Sequence, residues 1–190
     1  MARIAIDMDE VIADALGGIL DGYNRITGST LTKVDLHGYK TYDYFDETGR
    51  KLIDQIIDNE DFWLNLRVIE GSQEVVERLA SSHEIFIATA AMEIPVSLRP
   101  KFLWLQEHFP FIPKLNYIFC GHKHSVACDY LIDDNLEFVS TCTGQGIFFD
   151  APRNKHLNGY PRVNSWYEVE DKITELENLK RSGSLQSALG

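Results

Sequence analysis

Short unbroken apolar runs alternate with stretches of helical spacing along most of this chain, a rhythm that predicts a parallel sheet wrapped in helices. Ile4-Ala5-Ile6 reads as a first buried strand. Val75, Val76 and Leu79 recur at helical spacing within Glu74 to Leu79, and the run from His83 to Thr89 reads as the next buried strand. Leu98, Phe102, Leu105 and Phe109 share one face of a predicted helix from Val96 to Phe109, which Pro110 and Pro113 close. Three short strands follow at Tyr117 to Cys120, Tyr130 to Ile132 and Gly146 to Phe149; a last helix, Trp166 to Leu179, buries Val169, Ile173 and Leu176. Strand and helix in alternation predict a doubly wound, Rossmann-like α/β fold whose ligand crevice lies at the carboxyl ends of its strands.

Residues 15–70 break this rhythm. Leu16, Ile19, Leu20 and Tyr23 mark one helix and the stretch from Leu52 to Ile57 a second, with Tyr39, Tyr42, Tyr44 and Phe45 between them and Phe62-Trp63 after. So long a stretch without a clear strand predicts a small helical cap at 15–70, inserted after the first strand of a core made of 1–14 and 71–181. Its aromatics serve either as the cap's own core or as a surface turned to a ligand. The small, polar segment 182–190 is expected to be disordered.

At 190 residues and 44% apolar content, the chain can bury one substantial core with a small appended unit. No run approaches the roughly 18 apolar residues that span a bilayer, and the N-terminus has no basic-then-apolar leader, so a soluble, cytoplasmic protein with no membrane partner is expected. The net charge of −11, with 29 acidic against 18 basic residues, opposes binding to a nucleic-acid polymer. A small phosphorylated molecule is not opposed, because one cation and a few donors neutralise it locally. Cys120, Cys128 and Cys142 lack CxxC spacing and fit reduced core thiols better than disulfides or a zinc site.

Chemistry gathers where strands run out. Asp7 and Asp9, two apart, face the same side if the first strand continues; if the chain turns after Asp7, Asp9 contributes from the loop. Carboxylates that close repel unless a cation or a shared proton lies between them, which points to a hard divalent ion such as Mg²⁺. The plainer alternative is a strand end followed by a helix cap at Asp9. The later strands end in Thr89-Ala90-Ala91, which offers a hydroxyl and backbone N–H groups, in a loop bearing Lys123, and in Asp133-Asp134.

Asp7-Met8-Asp9, Thr89, Lys123 and Asp133-Asp134 resemble the four ordered motifs of the haloacid dehalogenase-like (HAD) phosphohydrolases and span most of the core. The run from Asp7 to Asp14, the early helical insert, and Lys123 ten residues before Asp133 resemble more narrowly the 5'(3')-deoxyribonucleotidases. The resemblance implies a HAD-like core and a Mg²⁺-dependent phosphomonoesterase acting on deoxyribonucleoside monophosphates. Asp7 would be the nucleophile and Asp9 the acid and base. Mg²⁺ would be held by the Asp7 carboxylate, the Asp9 carbonyl and one of Asp133 and Asp134. Thr89, the Ala90 N–H and Lys123 would hold the phosphate oxygens. Phe45, Phe62 and Trp63 become candidates for contacting the base, by position alone, and a homodimer is left open.

Two departures stand out: Glu10 occupies a position where that family usually has a small residue, often Gly, and Thr89-Ala90-Ala91-Met92 lacks the early Pro of its second motif. His122 and His124 flank Lys123 and read as exposed loop residues or further phosphate donors. The rival readings are a phosphatase for another small phosphomonoester such as a sugar phosphate, a receiver-type domain, and a silent nucleotide-binding regulator. The receiver reading conflicts with the inserted cap, and the silent one with the complete residue set.

Overall fold

The computed structural model describes residues 1–188, with side chains to Ser182. Strands β1 (Arg3–Ile6), β2 (Glu84–Thr89), β3 (Tyr117–Phe119), β4 (Tyr130–Asp133), β5 (Gln145–Phe149) and β6 (Arg162–Val163) form one sheet in the order β3-β2-β1-β4-β5-β6. Every pairing is parallel. The order reverses between β1 and β4, so a crevice opens beyond their carboxyl ends. Ile6 lies level with Ile87 on one side and Ile132 on the other. Asp7, Thr89 and Asp133 therefore leave the sheet at one edge.

The helices are α1 (Ala15–Thr27), α2 (Thr41–Tyr44), α3 (Glu47–Ile57), α4 (Glu60–Leu64), α5 (Ser72–Ala80), α6 (Leu98–His108), α7 (Leu136–Thr141) and α8 (Val169–Ala188). Strand alternation divides the core. Ile4, Ile6, Tyr130 and Ile132 turn into the larger cluster with α5, α6 and α8, whereas Ala5 and Leu131 meet Ala88, Val126 and Phe138 of α7 on the other face. Each fully buried isoleucine here contributes about 1.5–3 kcal/mol. On the thinner face α7 lies close to β5, and Gly146 is what permits it: a Cβ there would stand 2.3 Å from the Val139 carbonyl oxygen.

Between β1 and α5 the chain carries α1 to α4. Asp14 caps α1 by accepting from the Gly17 N–H, and Gly28, at φ 74°, ends it. The chain leaves the sheet for these helices and returns from them side by side: the Asp14 N–H donates to the Arg67 carbonyl at 2.8 Å and the Ile69 N–H to the Ile12 carbonyl at 2.9 Å.

Three expectations need correction. β6 is an added strand, only two residues long and too short to show a period. The buried face of α6 matches the expected one only in part: Leu105 and, just past the helix, Phe109 are buried as expected, but Lys101 and Trp104 are buried in place of the half-buried Leu98 and Phe102, and Trp104 donates its indole N–H to the Leu66 carbonyl at 2.9 Å. Finally, α8 continues to Ala188 through the segment from Ser182 that was expected to be disordered, with no proline to stop it. Residues 189 and 190, part of that same expectation, lie outside the described residues. Among the described residues no helix is long and apolar enough to cross a membrane.

Candidate active site

Immediately after β1 the chain turns. The Asp7 N–H still donates to the Ile132 carbonyl at 2.9 Å, but the Ile12 and Ala13 N–H groups both converge on the Met8 carbonyl at 2.9 Å. Trp166 pins this tight loop by donating its indole N–H to the Val11 carbonyl at 2.7 Å. Of the two geometries open for the acidic pair, this is the one in which Asp9 contributes from the loop; the helix cap is Asp14, not Asp9.

Glu10 sits in this loop at φ 62°, the left-handed region where glycine is at ease and a side chain costs about 1–2 kcal/mol. Its carboxylate offsets that strain by tying the loop to the inserted helical segment. Oε1 accepts from the Leu16 N–H at 2.7 Å and Oε2 from Lys33 at 2.8 Å, while Lys33 also bridges to Asp14 at 2.7 Å. Burial pushes the Glu10 carboxyl up from its ordinary range, and Lys33 opposes the rise.

In the crevice Lys123 is the hub. Its ammonium lies 2.6 Å from Asp7 Oδ1 and 2.6 Å from Asp133 Oδ2, over the Phe138 ring at 4.7 Å. All three charged side chains are buried, Lys123 to 1% exposure. The Met8 N–H shares Asp7 Oδ1 at 2.7 Å. Burial pushes the Asp7 carboxyl up to about 8; Lys123 pulls it down, and Asp133, Asp9 and Asp134 push it further up. Burial alone would lower the Lys123 ammonium, but Asp133 and Asp7 outweigh it and hold the group charged.

Asp133 and Asp134 diverge. Asp133 is committed on both oxygens, to Lys123 and to the Asn135 N–H at 2.8 Å. Asp134 pairs through Oδ1 with Arg153, and its buried Oδ2 has no partner. Asp7, Asp133 and Asp134 bring one oxygen each within 4.8 Å of one another. A buried all-oxygen donor set with an unpaired oxygen suits a hard cation of the Mg²⁺ kind. The Asp9 side chain lies outside that cluster.

What the Asp9 carboxylate meets instead was missed in the sequence. Lys101 on α6, 2% exposed, lies 2.5 Å from Asp9 Oδ2 and 3.2 Å from Thr89 Oγ1, with its ammonium 4.5 Å over the Trp63 ring. One signal was legible: Lys101 stands three and four residues before Trp104 and Leu105, a charge on an apolar helical stripe. Thr89 is itself buried, and Ala90 opens the turn that follows, its carbonyl accepting from the Glu93 N–H at 3.1 Å.

The aromatic candidates separate. Trp63 is buried against Lys101 and donates its indole N–H to the Ile57 carbonyl at 2.8 Å. Phe62 packs on Trp63 and lines a groove with Gly18 and Gly22, while Phe45 is buried among the inserted helices, 4.7 Å from the Tyr23 ring. His122 and His124 stack on each other at 5.5 Å, both exposed.

A family model described as "5' nucleotidase, deoxy (Pyrimidine), cytosolic type C protein" matches residues 1–179. A Bacillus subtilis (strain 168) protein named 5'(3')-deoxyribonucleotidase is 37% identical over 170 residues, 90% of this chain and 97% of its own length. A Staphylococcus aureus (strain Mu50) protein, provisionally given the same name, is 40% identical over 178 residues, 94% of this chain and 97% of its own. Among solved structures, a haloacid dehalogenase-like family hydrolase from Streptococcus pneumoniae superposes with a TM-score of 0.61 at 11% identity, over 91% of this chain and 98% of that one. At that identity the likeness is one of fold.

Proposed function

Because the chain belongs to the family of 5' nucleotidases, deoxy (pyrimidine), cytosolic type C, we propose that it hydrolyses deoxyribonucleoside monophosphates to nucleoside and phosphate. The observation that carries this reading is the buried row Asp7–Lys123–Asp133 with the Asp134 Oδ2 unpaired beside it, the carboxylates at the carboxyl ends of the neighbouring strands β1 and β4 and Lys123 reaching them from the turn after β3.

Asp7 attacks the phosphorus, and its new O–P bond forms as the ester bond breaks. The departing alkoxide takes a proton from Asp9. Asp9, left as a carboxylate, then accepts a proton from water as that water attacks the aspartyl-phosphate. Phosphate leaves, and the Asp7 carboxylate is restored. Thr89, the Ala90 N–H and Lys123 stand where charge spreads over the equatorial oxygens. Asp7, the Asp9 carbonyl and Asp134 would hold Mg²⁺, which supplies positive charge to the same oxygens. Asp133 serves the site by orienting Lys123. Trp63 is the cap aromatic that reaches this crevice, through Lys101.

Lys101 joins the acid/base to the phosphate-binding hydroxyl. Replacing it with Gln should lower kcat about 100-fold, with a smaller change in KM because Thr89 and Lys123 still bind the phosphate. Steady-state kinetics under saturating Mg²⁺ measure both; a kcat within threefold of the parent protein removes Lys101 from the machinery.

The substrate class is tested by phosphate release from dUMP, dTMP and their 3'-isomers, compared with ribonucleotides and sugar phosphates. The deoxyribonucleotides should lead. Equal or faster turnover of the sugar phosphates would replace this reading with that of a general small-phosphomonoester phosphatase.

A further inference from the structure

Asp134 is fully buried, and a carboxylate without a counter-charge is unstable at such a place. The counter-charge present is Arg153, paired with Oδ1. Arg153 is firmly delivered. It lies in the turn Pro152–Asn154 beyond β5, and the next residue, Asn154, uses both ends of its buried amide to fix that turn. Asn154 Nδ2 donates to the Asp134 and Phe149 carbonyls, each at 2.9 Å, and Oδ1 accepts from the Ala151 N–H at 3.2 Å and from Arg162 at 2.6 Å. From the inserted segment, the Gly38 N–H donates to the Pro152 carbonyl at 2.9 Å. The guanidinium Nε is buried without a partner, so among the described residues Asp134 is the one carboxylate that Arg153 pairs with.

We propose that Arg153 is a positioning residue of the metal site: it compensates Asp134 before the cation arrives and fixes its carboxylate so that the free Oδ2 is presented to the cluster. The inference rests on the metal-dependent reading above. A guanidinium on one oxygen stops rotation of the carboxylate and leaves the other oxygen, buried and unpaired, available to a cation, as a supporting shell does for a ligand. Once a divalent ion shares the carboxylate, the compensation no longer depends on Arg153 alone. Its contribution is therefore largest in the metal-free protein.

Thermal melts in EDTA and in saturating Mg²⁺, at one pH, test this with Arg153→Gln, Arg153→Lys, Asp134→Asn and the Arg153→Gln/Asp134→Asn double variant. In EDTA, Arg153→Gln should melt about 4–8 °C below the parent protein. Mg²⁺ should restore most of that loss, so its stabilising shift is larger in the variant than in the parent. Arg153→Lys should keep most of the metal-free Tm, and adding Asp134→Asn to Arg153→Gln should recover part of it. An unchanged Tm in EDTA overturns the proposal. So does a loss that neither Mg²⁺ nor Asp134→Asn relieves, which would mark Arg153 as packing for its turn. If Mg²⁺ fails to stabilise even the parent protein, the metal reading falls and this inference with it; a normal parent shift with an unaffected Arg153→Gln overturns this inference alone.

Discussion

Asp7→Asn should cut turnover by about 10⁴-fold or more, because an amide cannot take the covalent role proposed for this carboxylate. The fold should survive the change and gain from it. Asp7 is buried beside Asp133, Asp9 and Asp134, and it is burial first, then these neighbours, that raises its carboxyl to about 8. An isosteric neutral side chain removes that repulsion and still accepts from the Met8 N–H. The metal-free variant should therefore melt at or above the temperature of the parent protein while its catalysis is gone. Phosphate release under saturating Mg²⁺ and a thermal melt in EDTA check the two halves. Residual Mg²⁺-dependent turnover within 100-fold of the parent would end the covalent scheme.

Lys123→Met should also be severe in activity, by about 10³-fold, yet it acts on stability with the opposite sign. The Lys123 ammonium stands between Asp7 and Asp133 at 2.6 Å from each. Its removal leaves two carboxylates facing one another with no cation between them, and breaking a buried pair in this way costs about 3–5 kcal/mol. For a chain of this size that is a fall of roughly 10 °C in Tm without metal. Restoring neutrality from the other side, in the Asp7→Asn/Lys123→Met double variant, should return part of the loss, as expected for residues in direct contact. A single variant that melts within 2 °C of the parent, with double and single variants adding independently, would show that the bridge carries no such energy.

The sheet was legible because its strands are continuous apolar runs and its chemistry falls at their ends. Thr89, Lys123 and Asp133 each follow or close such a run. Lys101 was not, because the expected face of α6 was set by Leu98, Phe102, Leu105 and Phe109, and a shift of one residue along a helix turns its face by about 100°. The Trp104 indole bond to the Leu66 carbonyl belongs to the observed face, and that partner is far away in sequence. Arg153 lies in a short turn with no period to betray it, and its importance depends on Asp134, which only the sheet order brings near. Phe45 and Phe62 illustrate the same limit: clustering marks aromatics as important without saying which way they face. For Glu10, the departure from a small residue was visible, but not that its backbone adopts the conformation that glycine would favour.

The hydrogen bonds from Asp14 to Arg67 and from Ile69 to Ile12 have a consequence for how such a chain can vary. They bring the two ends of the inserted segment together, so the sheet meets the segment as a closed loop with neighbouring feet. Loop-closure entropy grows only with the logarithm of length, so lengthening or rebuilding the segment between those feet adds little cost at the junction. It also leaves the pairing of β1 with β2 and β4 unaltered. A lineage could thus exchange the inserted helices while inheriting Asp7 and Asp133 in place.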